Sequence, residues 1–195
     1  MISAVILAAG ESSRFGTPKL LFEVNNKTFL EHILTNSNVP EINEVILVLG
    51  YNSEKIIPEL NTTNIKIVIN HNYKDGQLSS FKTGIRKLNP DNKGILMILV
   101  DHPFVTKNTY KTIIQEFVRS SYSKIIIPAY NNRKGHPVIF PVSLKEDILS
   151  APDNQGARYV IRNNSNSVKI VNVNDKFIHA DLDYKADVKK WLAEK

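Results

Sequence analysis

Residues 4–22 read AVILAAGESSRFGTPKLLF, and this stretch decides the fold class. Ala4, Val5, Ile6 and Leu7 form a short apolar run of the kind a parallel strand shows when both its faces are covered. Ala8, Ala9 and Gly10 then shed side-chain bulk where the strand should end, so a ligand can approach the backbone and amide N–H groups can point at an anion. Ser12 and Ser13 add hydroxyl donors, Gly16 permits a second sharp turn, and Pro18 steers Thr17 away from helix. Arg14 and Lys19 are left to close over bound phosphate. These two cations should dominate, because a charged hydrogen bond contributes about 1.5–3 kcal/mol against about 0.5–1.5 kcal/mol for a neutral one. The stretch predicts a strand opening into a phosphate-holding loop, with nucleotide contacts from Leu7, Ala8, Ala9, Gly10, Ser12, Ser13, Arg14 and Lys19.

Spacing excludes two familiar phosphate motifs. A Walker A loop needs G-x-x-x-x-G-K-[ST], whereas Gly10 and Gly16 are separated by five residues and Lys19 does not follow Gly16. A dinucleotide fingerprint needs G-x-G-x-x-G, and Gly10 has no such companions.

Outward from the loop, strand and helix signals alternate. Thr28-x-x-Glu31 has the form of a capping box and predicts a helix to about Ser37. Strands are expected over Glu44–Leu49, Ile65–Ile69, Gly94–Val100, Ile125–Ala129, Pro137–Phe140 and Val168–Val173. Helices are expected at Ser53, disturbed by Pro58; over Leu78–Leu88; from Thr106 to Ser120; from a second capping box, Ser143-x-x-Glu146, to Ser150; and over Gly156–Asn163. A closing helix over Tyr184–Glu194 should bury Val188 and Trp191, and Asn131–Gly135 reads as a polar, basic turn. The expected architecture is α/β: one three-layer αβα domain over residues 1–195 with a Rossmann-like, mostly parallel sheet.

Composition narrows the function classes. With 195 residues the chain suits one domain, and 42% hydrophobic with 23% charged residues is ordinary for a soluble protein. The absence of cysteine excludes disulfides and thiolate metal sites and fits a cytoplasmic setting. No signal peptide and no membrane span is expected. The net charge of +6 admits nucleic acid, but the lysines are scattered without interleaved aromatics, so a small anionic substrate is the preferred reading.

Asp101 follows the most hydrophobic run, GILMILV, at the carboxyl end of a central strand, where open α/β sheets bind ligands. Magnesium takes one or two carboxylates plus substrate phosphates, so Asp101 facing a phosphate loop begins a metal site. His102 reads as a satisfied loop histidine. Near the C-terminus, alternation along a strand would send Asp181 and Asp183 to one face with Leu182 opposite. Asp183 is the favoured second ligand, Asp181 the reserve, and Asp187 a helix first-turn charge.

The loop pattern LAAG-x-S-x-R-x-G-x-x-K-L-L resembles the signature of nucleotidyltransferases related to the molybdenum cofactor guanylyl- and cytidylyltransferases, the MobA-like NTP transferases. Further segments follow in family order. Asp101-His102-Pro103 is similar to an Asp-x-Pro metal element, with histidine where methionine is common, and Gly76-Gln77-Leu78-Ser79-Ser80 is similar to a G-x-S-x-S segment. GHPVIF over 135–140 and Gly156-Ala157-Arg158 resemble further family segments. Asp181, Asp183 and Asp187 match an Asp-x-Asp-Thr-Pro-x-Asp element that here carries Tyr184 and Lys185 instead of Thr and Pro. The resemblance implies the nucleotide-diphospho-sugar transferase type of fold and Mg²⁺-dependent nucleotidyl transfer. It gives Arg14, Lys19 and Asp101 catalytic roles, and Gly76, Ser79 and Ser80 the nucleoside. It places Gly135, His136, Pro137 and Arg158 at the acceptor. It implies CTP as donor, supported by LAAG and GHPVIF, molybdenum-molybdopterin as acceptor, and a molybdenum hydroxylase as recipient of the product. The alternatives are guanylyl or other NTP transfer to a sugar or polyol phosphate, and a nucleotide-binding module without catalysis.

Overall fold

The N-terminal apolar run becomes the middle of a sheet. In the computed structural model, which describes residues 1–61 and 63–193, β1 (Ile2–Ala8) is buried along its whole length and has parallel neighbours on both sides. After the loop, a small hairpin of β2 (Glu23–Val24) and β3 (Lys27–Thr28) leads into α1 (Phe29–Ser37). The expected capping box forms there: the Thr28 hydroxyl accepts from Glu31 N–H, and the Glu31 carboxylate accepts from Thr28 N–H at 2.6 Å. The chain continues through β4 (Ile42–Leu49), α2 (Ser53–Ile56), β5 (Lys66–Ile69), α3 (Gln77–Ile85), β6 (Gly94–Leu99) and α4 (Lys107–Arg119). It closes with β7 (Ile125–Tyr130), β8 (Arg133–Lys134), β9 (Val138–Pro141), α5 (Lys145–Ser150), α6 (Ala157–Asn163), β10 (Val168–Asn172) and α7 (Lys185–Ala193).

The sheet runs β10-β7-β9-β6-β1-β4-β5, with β8 attached to β7. Pairings of β1 with β4 and β6, of β4 with β5, and of β7 with β10 are parallel. Strand β9 lies antiparallel between β6 and β7. The link from β7 to β9 is too short for the crossover of about a dozen residues that a parallel return requires. It folds instead as a hairpin carrying β8 where the sequence predicted only a turn.

Alternation along β1 builds both cores. Ala4, Ile6 and Ala8 pack with Leu30 and Ile33 of α1 and Ile113 and Phe117 of α4. Val5 and Leu7 pack with Leu78, Phe81 and Ile85 of α3, Ile148 of α5 and Val160 of α6. Three layers result, as the strand-helix alternation predicts. A third cluster joins Phe15 of the loop, Phe29 of α1, Phe104, Leu182 and Val188, so the C-terminal segment is clipped onto the phosphate loop.

Several local expectations change. Asn52, with φ of 53°, precedes α2, and Ser53 is the first helical residue instead of its cap. The second capping box does not form, because 142–144 is already a 3₁₀ turn and leaves Ser143 inside a helical turn. Helix α3 stops at Ile85, short of Leu88. Residues 181–183 form no strand and do not pair into the sheet, although Leu182 is still buried between its two aspartates. Trp191 is half-buried, and the expected helix end at Glu194 lies outside the described residues. No helix among the described residues is long and apolar enough to cross a membrane.

Candidate active site

The loop after β1 is shaped by backbone before side chains. Ser12 adopts φ of 51° and its carbonyl accepts from Phe15 N–H and Gly16 N–H, both at 3.0 Å. Gly16, at φ of 79°, reverses the chain in a region that side-chain-bearing residues rarely adopt. Phe15 is buried as an anchor, and edge-on contacts with Phe22 and Phe29 fix it. Lys19 then enters a 3₁₀ turn with its own N–H 3.4 Å from Ser12 Oγ. A cleft of about 640 Å³ opens over this loop, lined by Leu7, Ala8, Ala9, Gly10, Ser12, Ser13, Arg14 and Lys19, with Gly76, Ser80 and Asp101 across from them.

Three carboxylates converge at the inner end. Oxygens of Asp101, Asp181 and Asp183 all lie within 4.8 Å of one another. Asp101 is placed by the end of β6, and the Asp183 segment by Leu182 N–H donating to the Asp101 carbonyl at 3.1 Å. Among the described residues Asp101 Oδ1 is buried without a hydrogen-bond partner, while His102 Nε2 stands 3.7 Å away. Burial pushes the Asp101 carboxyl above its ordinary range, with Lys19 opposing. Burial also raises Asp181, helped by the charges of Asp101 and Asp183. Asp183 goes the other way: the Lys19 hydrogen bond holds it low, and the charges of Lys19 and Arg14 add to this. Lys19 Nζ meets Asp183 Oδ1 at 2.7 Å and the Arg14 guanidinium meets Oδ2 at 2.6 Å. Oxygen-only donors, close enough to share one ion and including an orphaned buried oxygen, suit a hard divalent cation.

A second, larger cleft of about 1220 Å³ lies on the other side of Asp101. Gly135, His136 and Arg158 line it, together with Asp181 and a basic rim of Arg133, Lys134 and Arg162. Hydrophobic walls come from Leu99, Ile127, Val138 and Ile178. His136 is fixed by its own N–H donating to the Ile178 carbonyl at 3.0 Å, and its ring lies 5.2 Å from that of His102. Burial lowers the His102 pKa to about 4; burial, with His102 and Arg158 nearby, lowers that of His136 to about 3. Both are neutral imidazoles at pH 7. Lys82 is buried beneath this cleft, donating to the Ala151 carbonyl at 2.6 Å and pairing with Asp153 at 2.8 Å, which ties α3 to the segment before Arg158.

Two expected site residues fall elsewhere. Ser79 is buried away from both clefts, its hydroxyl 2.9 Å from the Asn72 and Gly76 carbonyls and accepting from Asn70 Nδ2. Pro137 is buried behind His136 and lines neither cleft. Asp101 lines both clefts, Asp183 only the first and Asp181 only the second.

A family model, the MobA-like NTP transferase domain, matches residues 4–168. The chain belongs to this family. It is a nucleotidyltransferase on a Rossmann-like, mostly parallel sheet. Nicotine blue oxidoreductase of Paenarthrobacter nicotinovorans is 28% identical over 191 residues, covering 93% of this chain and 92% of the relative. Molybdenum cofactor cytidylyltransferase of Escherichia coli K12 is 28% identical over 143 residues, covering 71% and 69%. Among solved structures, Rv0371c of Mycobacterium tuberculosis H37Rv superposes with a TM-score of 0.83 at 22% identity, covering 98% of this chain and 97% of that one. Rv0371c has also been solved in complex with manganese, at a TM-score of 0.79 and 20% identity, covering 100% and 99%. Those likenesses are of fold.

Both clefts are also lined by residues to which the sequence reading gave no role. Tyr51, Asn52, Tyr73 and Gln77 line the first cleft, with the two tyrosine rings 6.1 Å apart. Arg133, Lys134, Arg162 and His179 line the second. The one signal for Tyr51 and Asn52 was position, just past a parallel strand on the loop side of the sheet.

Proposed function

We propose that this nucleotidyltransferase moves CMP from CTP onto molybdenum-molybdopterin and releases pyrophosphate, with Mg²⁺ as its metal. The observation that carries the reading is Asp101, shared between a cationic loop cleft and a larger basic-rimmed cleft, with Asp183 and Asp181 one to each side. The triphosphate lies over Ala8–Lys19, and Arg14 and Lys19 offset its charge. The acceptor lies against Gly135, His136 and Arg158. An acceptor phosphate oxygen attacks the α-phosphorus in line, and the bond from that phosphorus to the bridging oxygen of the β-phosphate breaks. The residues contribute chiefly by holding both partners in the two clefts and by meeting developing charge with fixed cations. A divalent cation held by Asp101 and Asp183, with Asp181 in reserve, would supply further charge neutralisation at the phosphate oxygens. His136, neutral at pH 7 and facing the acceptor cleft, offers a hydrogen bond without adding charge.

The choice of CTP rests on LAAG over 7–10 and GHPVIF over 135–140, and on the likeness to the E. coli cytidylyltransferase. The product would then pass to a molybdenum hydroxylase. A second reading, an oxidoreductase acting on nicotine blue, has its own support, since nicotine blue oxidoreductase matches over nearly the whole chain. Thermal shift with each of the four NTPs and Mg²⁺, followed by pyrophosphate release with purified acceptor, separates these readings. CTP should raise the melting temperature most and release pyrophosphate only with molybdenum-molybdopterin. Preference for another NTP, or turnover with a sugar or polyol phosphate, would replace the proposed donor or acceptor. Redox turnover of nicotine blue with no pyrophosphate from any NTP would move the function to the oxidoreductase reading.

A further inference from the structure

The two cations of the phosphate loop have a carboxylate between them. Asp183 gives one carboxylate oxygen to Lys19 at 2.7 Å and the other to Arg14 at 2.6 Å. We propose that Asp183 is a placeholder for the triphosphate: it holds Arg14 and Lys19 where phosphate will sit and is exchanged for phosphate when nucleotide and metal arrive together. This rests on the nucleotidyl-transfer reading and names a positioning residue for it.

The physical need is clearest at Lys19. Its side chain is only 10% exposed, and an ammonium withdrawn from water needs a partner. An empty loop would leave that charge uncompensated, and Asp183 compensates it. Arg14 differs, at 62% exposed, so its contact with Asp183 is screened and easily given up.

The other half of the exchange concerns the carboxylates. With Asp183 within 4.8 Å of Asp101 and Asp181, these three groups repel one another, and Arg14 and Lys19 offset that repulsion. Phosphate alone would draw the cations away and leave the carboxylates bare. A divalent cation alone would compete with Arg14 and Lys19 for Asp183. Both arriving together conserve the local charge balance: phosphate replaces Asp183 on the cations, and the divalent cation replaces the cations on Asp183. The move required is small, because the Asp183 oxygens already stand beside the other two carboxylates while Leu182 stays buried and bonded to the Asp101 carbonyl.

The test uses inorganic tripolyphosphate and calorimetry on the full chain in EDTA. Asp183→Asn should bind tripolyphosphate roughly tenfold more tightly than the wild type, the scale of one competing charged hydrogen bond removed. Asp181→Asn removes a neighbouring carboxylate that bonds neither cation, so it should tighten that affinity clearly less than Asp183→Asn does. With saturating Mg²⁺ the order should reverse, and Asp183→Asn should bind CTP more weakly than the wild type. Weaker or unchanged tripolyphosphate binding by Asp183→Asn would make Asp183 a fixed scaffold and overturn the proposal. Equal tightening by both variants would reduce the effect to general field strength and overturn it as well. Circular dichroism checks the fold, and Asp183→Ser repeats the measurement should the asparagine variant not fold. The affinities are read without turnover, so a wild type inactive with every NTP would sink the transferase reading and leave this test independent of it.

Discussion

Lys19 combines a nearly buried ammonium with a place on the wall of the loop cleft, so its replacement removes charge from a position that water cannot refill. Lys19→Ala should lower kcat by roughly 10²–10³, the loss expected for one preorganised donor at developing charge. Steady-state rates at saturating CTP and acceptor check this, and near-normal turnover would remove Lys19 from the chemistry. Asp101 makes the complementary case. Burial raises its folded-state pKa, so its contribution to stability is present at low pH and is lost as pH rises and the carboxyl ionises. Asp101→Asn should therefore melt no lower than the wild type at pH 7 in EDTA, yet lose all metal-dependent activity and any melting shift on adding Mg²⁺. A lower melting temperature in EDTA would contradict this account. Arg14, Lys19 and Asp101 were legible in the sequence because each sits within a contiguous motif beside its strand. Tyr51 and Tyr73 were not, because they come from separate segments that only the folded sheet brings together. Ser79 and Ser80 both accept from Asn70 Nδ2, yet only Ser80 lines the loop cleft, a distinction that the motif does not record.

At the scale of elements, the proposed acceptor cleft depends on a hairpin packed against a short turn. A Cβ at Gly135 would meet the Ile178 carbonyl oxygen at 2.4 Å, and the next residue, His136, donates its N–H to that same oxygen. Across the same junction His179 Nε2 lies 2.9 Å from the Arg133 carbonyl. Gly135→Ala must push β8 and residues 176–179 apart. Overpacking of this kind destabilises by about 1–3 kcal/mol. Because the displaced backbone carries His136 and borders no part of the loop cleft, KM for acceptor should rise while KM for CTP stays near the wild-type value. Denaturant titration and separate substrate saturations measure the two effects, and an equal rise in both KM values would contradict the separation of the clefts. Periodicity located β7 and β9 but not β8, and the antiparallel insertion of β9 between β6 and β7 depends on the linker length and a tertiary pairing that no local pattern records.

For the whole molecule, the buried site makes stability depend on pH in opposing directions. His102 and His136 have folded-state pKa values lowered to about 4 and about 3, against an ordinary value of 6.5. Below pH 6.5 the unfolded chain takes up protons that the folded protein refuses, so each histidine withdraws stability as pH falls, by up to about 1.4 kcal/mol per pH unit. Asp101 and Asp181, raised by burial, act oppositely, since their folded forms take up protons before the unfolded chain does. Subtracting a single-site variant from the wild type cancels those shared contributions. His136→Asn keeps a polar group at the site but cannot become a cation, and His136 is the histidine further along the chain from the carboxylates. Its unfolding free energy should therefore fall less steeply than that of the wild type between pH 6.5 and 5, the difference accumulating to about 2 kcal/mol. Urea titrations at half-unit pH steps in EDTA measure it. Parallel curves would mean that His136 protonates as readily in the folded protein as in the unfolded chain, and the acceptor cleft would then present a cation, not a neutral imidazole, to its substrate.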